Sequence, residues 1–267
     1  MTLTNASVGI VGAGLSGLVA AWLLEQQGVQ SILLFEARDT VGGRILSVDA
    51  SGVAVDQRFP ATDRFDLGPT WFWPDFQPQL DQLIDELQLP RFAQHEDGDV
   101  LIERSPHASP VRMQGYASSP NSMRLVGGTG SLVCALHNRL RHTRIQLGHA
   151  VSRLRREASH VEIITQDTAG HEKLWPVTHV FLALPPRLTD HRIEFDPPLP
   201  PELIQSWRAT PTWMAPHAKY LAIYETPFWR AQGLSGAARS TVGPMVEIHD
   251  VSMPDGHAAL FGFIGVP

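Results

Sequence analysis

The chain contains a single cysteine, Cys134, among its 267 residues. One cysteine excludes an internal disulfide and any zinc site built from several cysteines. Cys134 lies in an apolar helical stretch, so we expect a buried and inert thiol. There are 12 histidines, but none has the spacing that is typical of metal ligands. We therefore predict that the protein binds no metal.

The chain also lacks an apolar run of about 18 residues, so no transmembrane helix is expected. Its apolar N-terminal stretch is not preceded by the basic segment of a signal peptide. The formal net charge is −6, and no basic run with interleaved aromatic residues occurs. These absences, with the single cysteine, predict a soluble cytoplasmic protein without nucleic acid or membrane as a partner.

The most informative feature that is present is a glycine-rich turn near the N-terminus. A short apolar strand, Val8–Val11, leads into Gly12-Ala13-Gly14-Leu15-Ser16-Gly17, and a helix is predicted over residues 16–27. Gly12 permits the tight turn, Gly14 lets the backbone approach a pyrophosphate, and Gly17 lets the helix pack close to the strand. The N-terminus of the helix offers unpaired N–H groups to phosphates. This order of elements predicts dinucleotide binding.

A second motif follows the next apolar strand and points to FAD. That strand ends at Glu36, about 20 residues after the glycines, where an acid hydrogen-bonds ribose hydroxyls. Glu36-Ala37-Arg38 and then Gly42-Gly43-Arg44 supply bare backbone and two guanidinium groups. An extended FAD has additional phosphate and ribitol to hold, and such groups fit that need. For either arginine alone, a solvated loop charge would be the simpler interpretation.

The pattern Glu-x-Arg-x-x-x-Gly-Gly-Arg from Glu36 to Arg44 resembles the flavoprotein group that contains amine oxidases, carotenoid desaturases and protoporphyrinogen oxidases. Later stretches resemble the flavin-containing, monoamine oxidase-like amine oxidases in particular. These stretches are Asp66-Leu67-Gly68-Pro69-Thr70-Trp71, the Gly-Gly turn at 124–130, Val151 after a short strand, the strand end at 183–186, the proline turn at 195–200, and Met214-Ala215 with Lys219 and Pro227-Phe228-Trp229.

The resemblance implies roles for several of these residues. Gly68, Pro69, Thr70 and Trp71 would pass near the flavin, and the backbone of Val151 would meet the adenine. Lys219 would hold a water against flavin N5 and stabilise negative charge on the reduced flavin. The alternative for Lys219 is an ordinary sheet lysine with its ammonium in water. The single cysteine lies away from the usual flavin linkage position, so we predict non-covalent FAD.

Three aromatic residues next to this segment have two interpretations. Trp71, Phe72 and Trp73 could line a substrate cavity, or they could pack beneath the flavin, and the sequence favours neither. Asp66 is expected to cap or orient backbone near the flavin.

The order of elements predicts an α/β fold of two interleaved domains. A Rossmann-like FAD-binding domain would comprise residues 1–71 and 122–190, and an α+β substrate domain residues 72–121 and 191–267. Strands at 145–147, 151–154 and 161–165 are expected to form one small meander, and residues 105–120 a loop. The C-terminal part of the family has no counterpart here, so we expect an incomplete substrate domain and a partner chain or homo-oligomer.

The resemblance implies an oxidoreductase that converts an amine or amino acid to an imine by hydride transfer to FAD, with O2 as final oxidant and H2O2 as product. Two alternatives stay open. One is a flavin-dependent desaturase or isomerase of the same group. The other is a non-catalytic FAD-binding fragment or subunit.

Overall fold

The structure is a computed structural model that describes residues 8–212 and 217–265. These residues form two compact units, and each unit is discontinuous in sequence. Unit 1 contains residues 8–44 and 133–212, and unit 2 contains residues 45–132 and 217–265. The two units are defined by packing, whereas the domains predicted above were defined by function with boundaries after residues 71, 121 and 190. The functional division therefore stays a prediction.

In chain order the elements are β1 (Val8–Val11), α1 (Leu15–Gln26), β2 (Ile32–Phe35), β3 (Ser47–Asp49), β4 (Arg64–Asp66), α2 (Pro78–Glu86), β5 (Arg91–Ala93), β6 (Asp99–Glu103), β7 (Val111–Met113), β8 (Met123–Leu125), α3 (Gly130–Arg139), β9 (Thr143–Gln146), β10 (Ala150–Arg156), β11 (Val161–Gln166), β12 (Glu172–Val177), β13 (His179–Leu182), α4 (Pro186–Arg192), β14 (Glu194–Asp196), α5 (Pro201–Ala209), β15 (Ala218–Tyr224), α6 (Phe228–Ala231), β16 (Leu234–Ser240), β17 (Met245–Asp250) and β18 (Ala258–Ile264).

Unit 1 is built on a parallel sheet with the strand order β13-β1-β2-β9. All four residues of β1 and all four of β2 are buried, as continuous apolar strands of a parallel sheet should be. Helix α1 connects these two neighbouring strands, which makes a βαβ unit. This arrangement confirms the predicted α/β, Rossmann-like fold.

The meander of unit 1 differs from the expectation. The strand expected at 145–147 is β9, and it pairs in parallel with β2 instead of joining the meander. The meander consists of β12, β11 and β10, with β14 added beside β10. We did not predict β12, because it begins with two exposed charged residues and contains a proline, which is uncommon inside strands. The expectation of one meander from 145 to 165 was therefore wrong in its first strand.

Unit 2 contains a six-stranded sheet with the order β15-β18-β17-β16-β6-β7. Most pairs are antiparallel, and β16 with β6 is parallel. The residues expected to be a loop, 105–120, contain the short edge strand β7. One face of the sheet contributes Ala259 and Phe261 to a core that also holds Val48, Phe65 and Val251.

No helix in the described part of the chain is both long enough and apolar enough to cross a membrane.

Candidate active site and cofactor site

The glycine turn of unit 1 connects β1 to α1 with almost no room for side chains. A Cβ on Gly17 would lie 1.9 Å from the carbonyl oxygen of Gly12, so the helix packs directly on the turn. Gly12 has a φ of +105°, a backbone conformation that other residues rarely adopt. The structure thus supports the roles predicted for these two glycines in shaping the turn.

The N-terminus of α1 presents backbone N–H groups at the glycine turn. Gly14 is the N-cap residue, no side chain of the described residues caps the helix, and its first turn carries no acid. The N–H groups of the first turn, at Leu15, Ser16 and Gly17, therefore have no carbonyl partner within the helix. Such an end favours an anionic group through both its N–H groups and the helix dipole.

The second glycine turn lies against the first. The N–H of Gly42 donates to the carbonyl of Ala13 at 2.9 Å, and Gly14 and Gly42 form a parallel bridge. A Cβ on Gly43 would lie 2.9 Å from the Cα of Gly14. Two stretches of bare backbone therefore approach each other, and the exposed guanidinium of Arg44 follows them.

Glu36 is buried at the end of β2, and its carboxylate joins these turns. Its Oε2 accepts the N–H of Ala13 at 3.0 Å, and its Oε1 accepts the backbone N–H and the Nε of Arg38, each at 3.2 Å. Arg38 also donates to the carbonyl of Gly43 at 3.1 Å. A carboxylate has about four acceptor positions, so one is left for a ribose hydroxyl. Ala37, between them, is exposed.

The β9–β10 turn is hydrogen-bonded to the same segment. Gly148 N–H donates to the carbonyl of Arg38 at 2.8 Å, and His149 N–H donates to the carbonyl of Glu36 at 2.9 Å. Val151 follows two residues later, with its side chain buried in the core of unit 1. The structure therefore brings Val151 into the same region of unit 1 as Glu36.

These residues fit the adenosine diphosphate part of FAD. The site combines free helix N–H groups, an oriented carboxylate and two turns that a Cβ would crowd. That combination is suited to a pyrophosphate with an attached ribose. Within unit 1, the structure brings together the residues predicted from Gly12 to Arg44.

Asp66 organises the corresponding segment of unit 2. Its carboxylate accepts the N–H of Thr129 at 3.0 Å, the hydroxyl of Thr129 at 3.0 Å and the hydroxyl of Ser47 at 3.1 Å. Burial raises the pKa of Asp66 above its usual value, and these hydrogen bonds oppose the shift only in part. Asp66 is thus a buried acceptor that fixes backbone, as the sequence suggested.

The segment after Asp66 is fastened through its backbone. The Thr129 hydroxyl contacts the carbonyl of Pro69 at 2.8 Å, and Thr70 is buried beside it. We had not predicted the role of Thr129, although it lies in the Gly-Gly-Thr-Gly turn, because the sequence does not show which strand faces that turn. Ser47 was missed as well, and no local signal marks it.

The aromatic residues that follow divide between the two interpretations. Phe72 is 3% exposed and packs in the interior of unit 2. Trp71 is partly exposed, lies edge-on to Phe261 with ring centroids 5.5 Å apart, and donates its indole N–H to Gln94 at 2.7 Å. Phe72 is therefore a packing residue, whereas Trp71 packs against Phe261 and also remains accessible.

Lys219 lies on β15, half-buried, with its ammonium over two aromatic rings. Its Nζ is 4.8 Å from the centroid of Phe261 and 5.5 Å from that of Phe263. The ammonium also donates to the carbonyl of Gly68. Burial lowers the pKa of Lys219 from its usual value, and the Asp66 carboxylate opposes that shift. The structure thus places the Lys219 ammonium in contact with the predicted segment 68–71. Met214 and Ala215 of the same motif lie outside the described residues.

Comparison with known protein families gives two matches. The model described as NAD(P)-binding Rossmann-like domain matches residues 10–87, and the model described as flavin containing amine oxidoreductase matches residues 98–267.

Individual relatives agree with these matches. The chain is 29% identical to a putative flavin-containing monoamine oxidase, AofH, of Mycobacterium tuberculosis, over 96% of the chain and 73% of the relative. That alignment runs over 354 positions, more than the chain has residues, so the relative contains segments that have no counterpart here.

Two solved structures share the fold. A putrescine oxidase bound to putrescine has a TM-score of 0.76 at 21% identity, covering 98% of this chain and 76% of that one. Cyclohexylamine oxidase from Brevibacterium oxydans has a TM-score of 0.76 at 20% identity, covering 98% and 75%.

Proposed function

Since the chain belongs to the flavin-containing amine oxidoreductase family, we propose that it oxidises a small amine or amino acid to an imine, with O2 as final oxidant and H2O2 as product. Bound FAD would supply the hydride acceptor for the carbon beside a neutral amine nitrogen, and O2 would be the final acceptor of the two electrons. The fold-sharing oxidases whose names refer to putrescine and cyclohexylamine support a small amine as substrate.

We assign the adenosine diphosphate part of FAD to the residues of unit 1. The N–H groups of the turn at 12–17 would hold the pyrophosphate, and Glu36 the ribose. Arg38, the turn at 42–44 and the backbone of Val151 would complete the site. We propose non-covalent attachment, because the single cysteine is buried on α3 and offers no exposed thiol for a linkage.

Lys219 carries the catalytic part of the proposal. Its half-buried ammonium is held by the Gly68 carbonyl and two aromatic faces, so it is a fixed positive charge in a site of reduced polarity. Such a charge stabilises negative charge that develops on a neighbouring group during reaction. Its lowered pKa makes proton exchange with a bound water easier than for a surface lysine. We propose that Lys219 holds such a water beside the flavin.

The test is the visible spectrum of the purified chain before and after anaerobic addition of a panel of amines. Bleaching of the flavin bands is the expected result. In Lys219→Met the FAD should still bind, whereas bleaching or reoxidation should be slower by about tenfold or more, the usual scale for losing one electrostatic contact. Lys219→Arg retains the charge and is the matched control.

Other outcomes select the alternatives. Bound flavin that no amine bleaches would favour a desaturase or isomerase, or a non-catalytic FAD-binding subunit. A partner chain or homo-oligomer also remains our proposal, and light scattering at several concentrations tests it. We retain a cytoplasmic location as a proposal on the basis of the single cysteine.

A further inference from the structure

Unit 2 contains a cavity of about 240 Å³ on one face of its six-stranded sheet, which we call the sheet-face cavity. Its walls include Val100 and Ile102 from β6, Arg239 from β16, and Glu247 and His249 from β17. Glu96, from the segment between β5 and β6, closes one side.

Strand register places this cavity on the face that carries Lys219. Lys219 pairs with Phe263, Phe263 with Glu247, Glu247 with Arg239, and Arg239 with Ile102. Residues directly opposite each other on neighbouring strands point to the same face. Strands lie about 4.8 Å apart, so the cavity wall at Glu247 is about 10 Å from Lys219 along this row.

An aromatic wall connects the two places. The ring of His249 lines the cavity and lies 6.5 Å from the ring of Phe263 and 5.2 Å from that of Trp71, centroid to centroid. Lys219 lies over the same Phe263. These contacts connect the cavity wall at His249 to a ring that lies under the Lys219 ammonium.

The charges of the cavity leave one carboxylate without a cation. Glu247 is paired with Arg239 at 3.2 Å. Asp250 is paired with Arg230 at 2.8 Å. Burial lowers the pKa of His249, and the carboxylates of Glu247 and Glu96 oppose that shift.

Glu96 differs from the other two acids. Among the described residues, it accepts the N–H and the hydroxyl of Ser118, which are neutral donors. In residues 8–212 and 217–265 no cation lies within ion-pair distance of it, so its negative charge is left for a ligand.

We propose that the sheet-face cavity binds the second, cationic nitrogen of a diamine substrate, with Glu96 as the carboxylate that receives it. This inference rests on the proposed amine oxidation, since it names the substrate of that reaction. Val100 and Ile102 would contact the methylene groups between the two nitrogens. A substrate carboxylate fits less well, because binding it to Arg239 would remove the partner of Glu247.

The test is calorimetric binding to the purified chain with its flavin already reduced and oxygen excluded, so that no amine is oxidised during the titration. Straight-chain diamines are compared with monoamines of equal carbon number. The wild type should bind the diamine about tenfold tighter or more, which one charged hydrogen bond provides. Glu96→Gln should lose this preference.

Two controls separate charge from structure. Ser118→Ala removes a hydrogen bond to Glu96 but keeps its charge, so it should retain the diamine preference. Asp97→Asn removes the neighbouring exposed acid and should retain it too. A wild type without preference, a preference that persists in Glu96→Gln, or one lost equally in Ser118→Ala would overturn the inference.

Failure of this inference is distinct from failure of the proposed function. If monoamines bleach the flavin and no diamine preference exists, only the assignment of the sheet-face cavity is wrong. If no amine bleaches the flavin, the proposed reaction is wrong, while the binding preference for a diamine is still measured on its own.

Discussion

Replacing Gly14 with alanine should separate FAD binding from folding. Gly14 has a φ of −72° and a ψ of −179°, which alanine adopts without strain. The added Cβ would lie 3.6 Å from the Cα of Gly43, an ordinary van der Waals distance. The methyl group would nevertheless project from the glycine turn whose N–H groups we propose to hold the pyrophosphate.

The expected magnitudes follow from this geometry. Alanine is a poorer N-cap than glycine, but it also restricts the unfolded chain, and the two effects offset each other to within about 1 kcal/mol. Loss of one hydrogen bond between a backbone N–H and a charged phosphate costs about 1.5–3 kcal/mol. FAD should therefore bind roughly tenfold to a hundredfold more weakly, with little change in the free energy of unfolding.

The assay measures FAD affinity by quenching of flavin fluorescence and stability by urea unfolding. Gly28→Ala is the matched control, because Gly28 has a φ of +83° and no described atom lies within 4 Å of the added Cβ. That variant should lose about 1–2 kcal/mol of stability through backbone strain and keep its FAD affinity. Wild-type affinity in Gly14→Ala would refute our placement of the pyrophosphate.

Three further predictions concern stability, each measured by urea unfolding. Gly17→Ala should cost about 1–3 kcal/mol or more, because its Cβ would lie 1.9 Å from the Gly12 carbonyl oxygen and α1 would have to shift; an unchanged midpoint would contradict that packing. Thr129→Val should cost about 1–3 kcal/mol, since Asp66 would lose a buried hydroxyl donor, whereas Thr129→Ser should recover most of the loss. Burial opposes the ionisation of Asp250, but hydrogen bonds from its neighbours outweigh burial and lower its pKa. The stability that Asp250 contributes is therefore present above about pH 4 and is lost as the pH falls through the folded-state pKa. Asp250→Asn should be less stable than the wild type at pH 7 and should lose less stability than the wild type between about pH 5 and about pH 3.

The geometry of the proposed cofactor site was predictable because its signals are local. The turn at 12–17 and the acid at Glu36 are neighbours in sequence, and their spacing reflects one βαβ unit. The predicted helix at 16–27 is observed as Leu15–Gln26. Local patterns do not report the partner of a strand, however, and for that reason β9 was assigned to the meander and not to the parallel sheet.

The surroundings of Lys219 show the same limit in another form. Lys219 lies on β15, Ala218–Tyr224. The rings over which its ammonium lies, Phe261 and Phe263, come from β18, and only the pairing of β15 with β18 brings them there. Glu96 has no sequence signal at all, because a lone acid in a polar stretch looks like any solvated charge.

The strand order of unit 1 has a consequence for how the protein is made. The central strands β1 and β2 come from the first 35 residues, whereas both edge strands, β9 and β13, come from residues 143–182. During synthesis, the first two strands therefore emerge with both of their outer edges unpaired, and these edges stay unpaired while residues 45–132 are synthesised. Non-local pairing of this kind forms slowly and exposes apolar strand edges in the meantime. The sheet of unit 1 can thus be completed only after residue 182 has been synthesised.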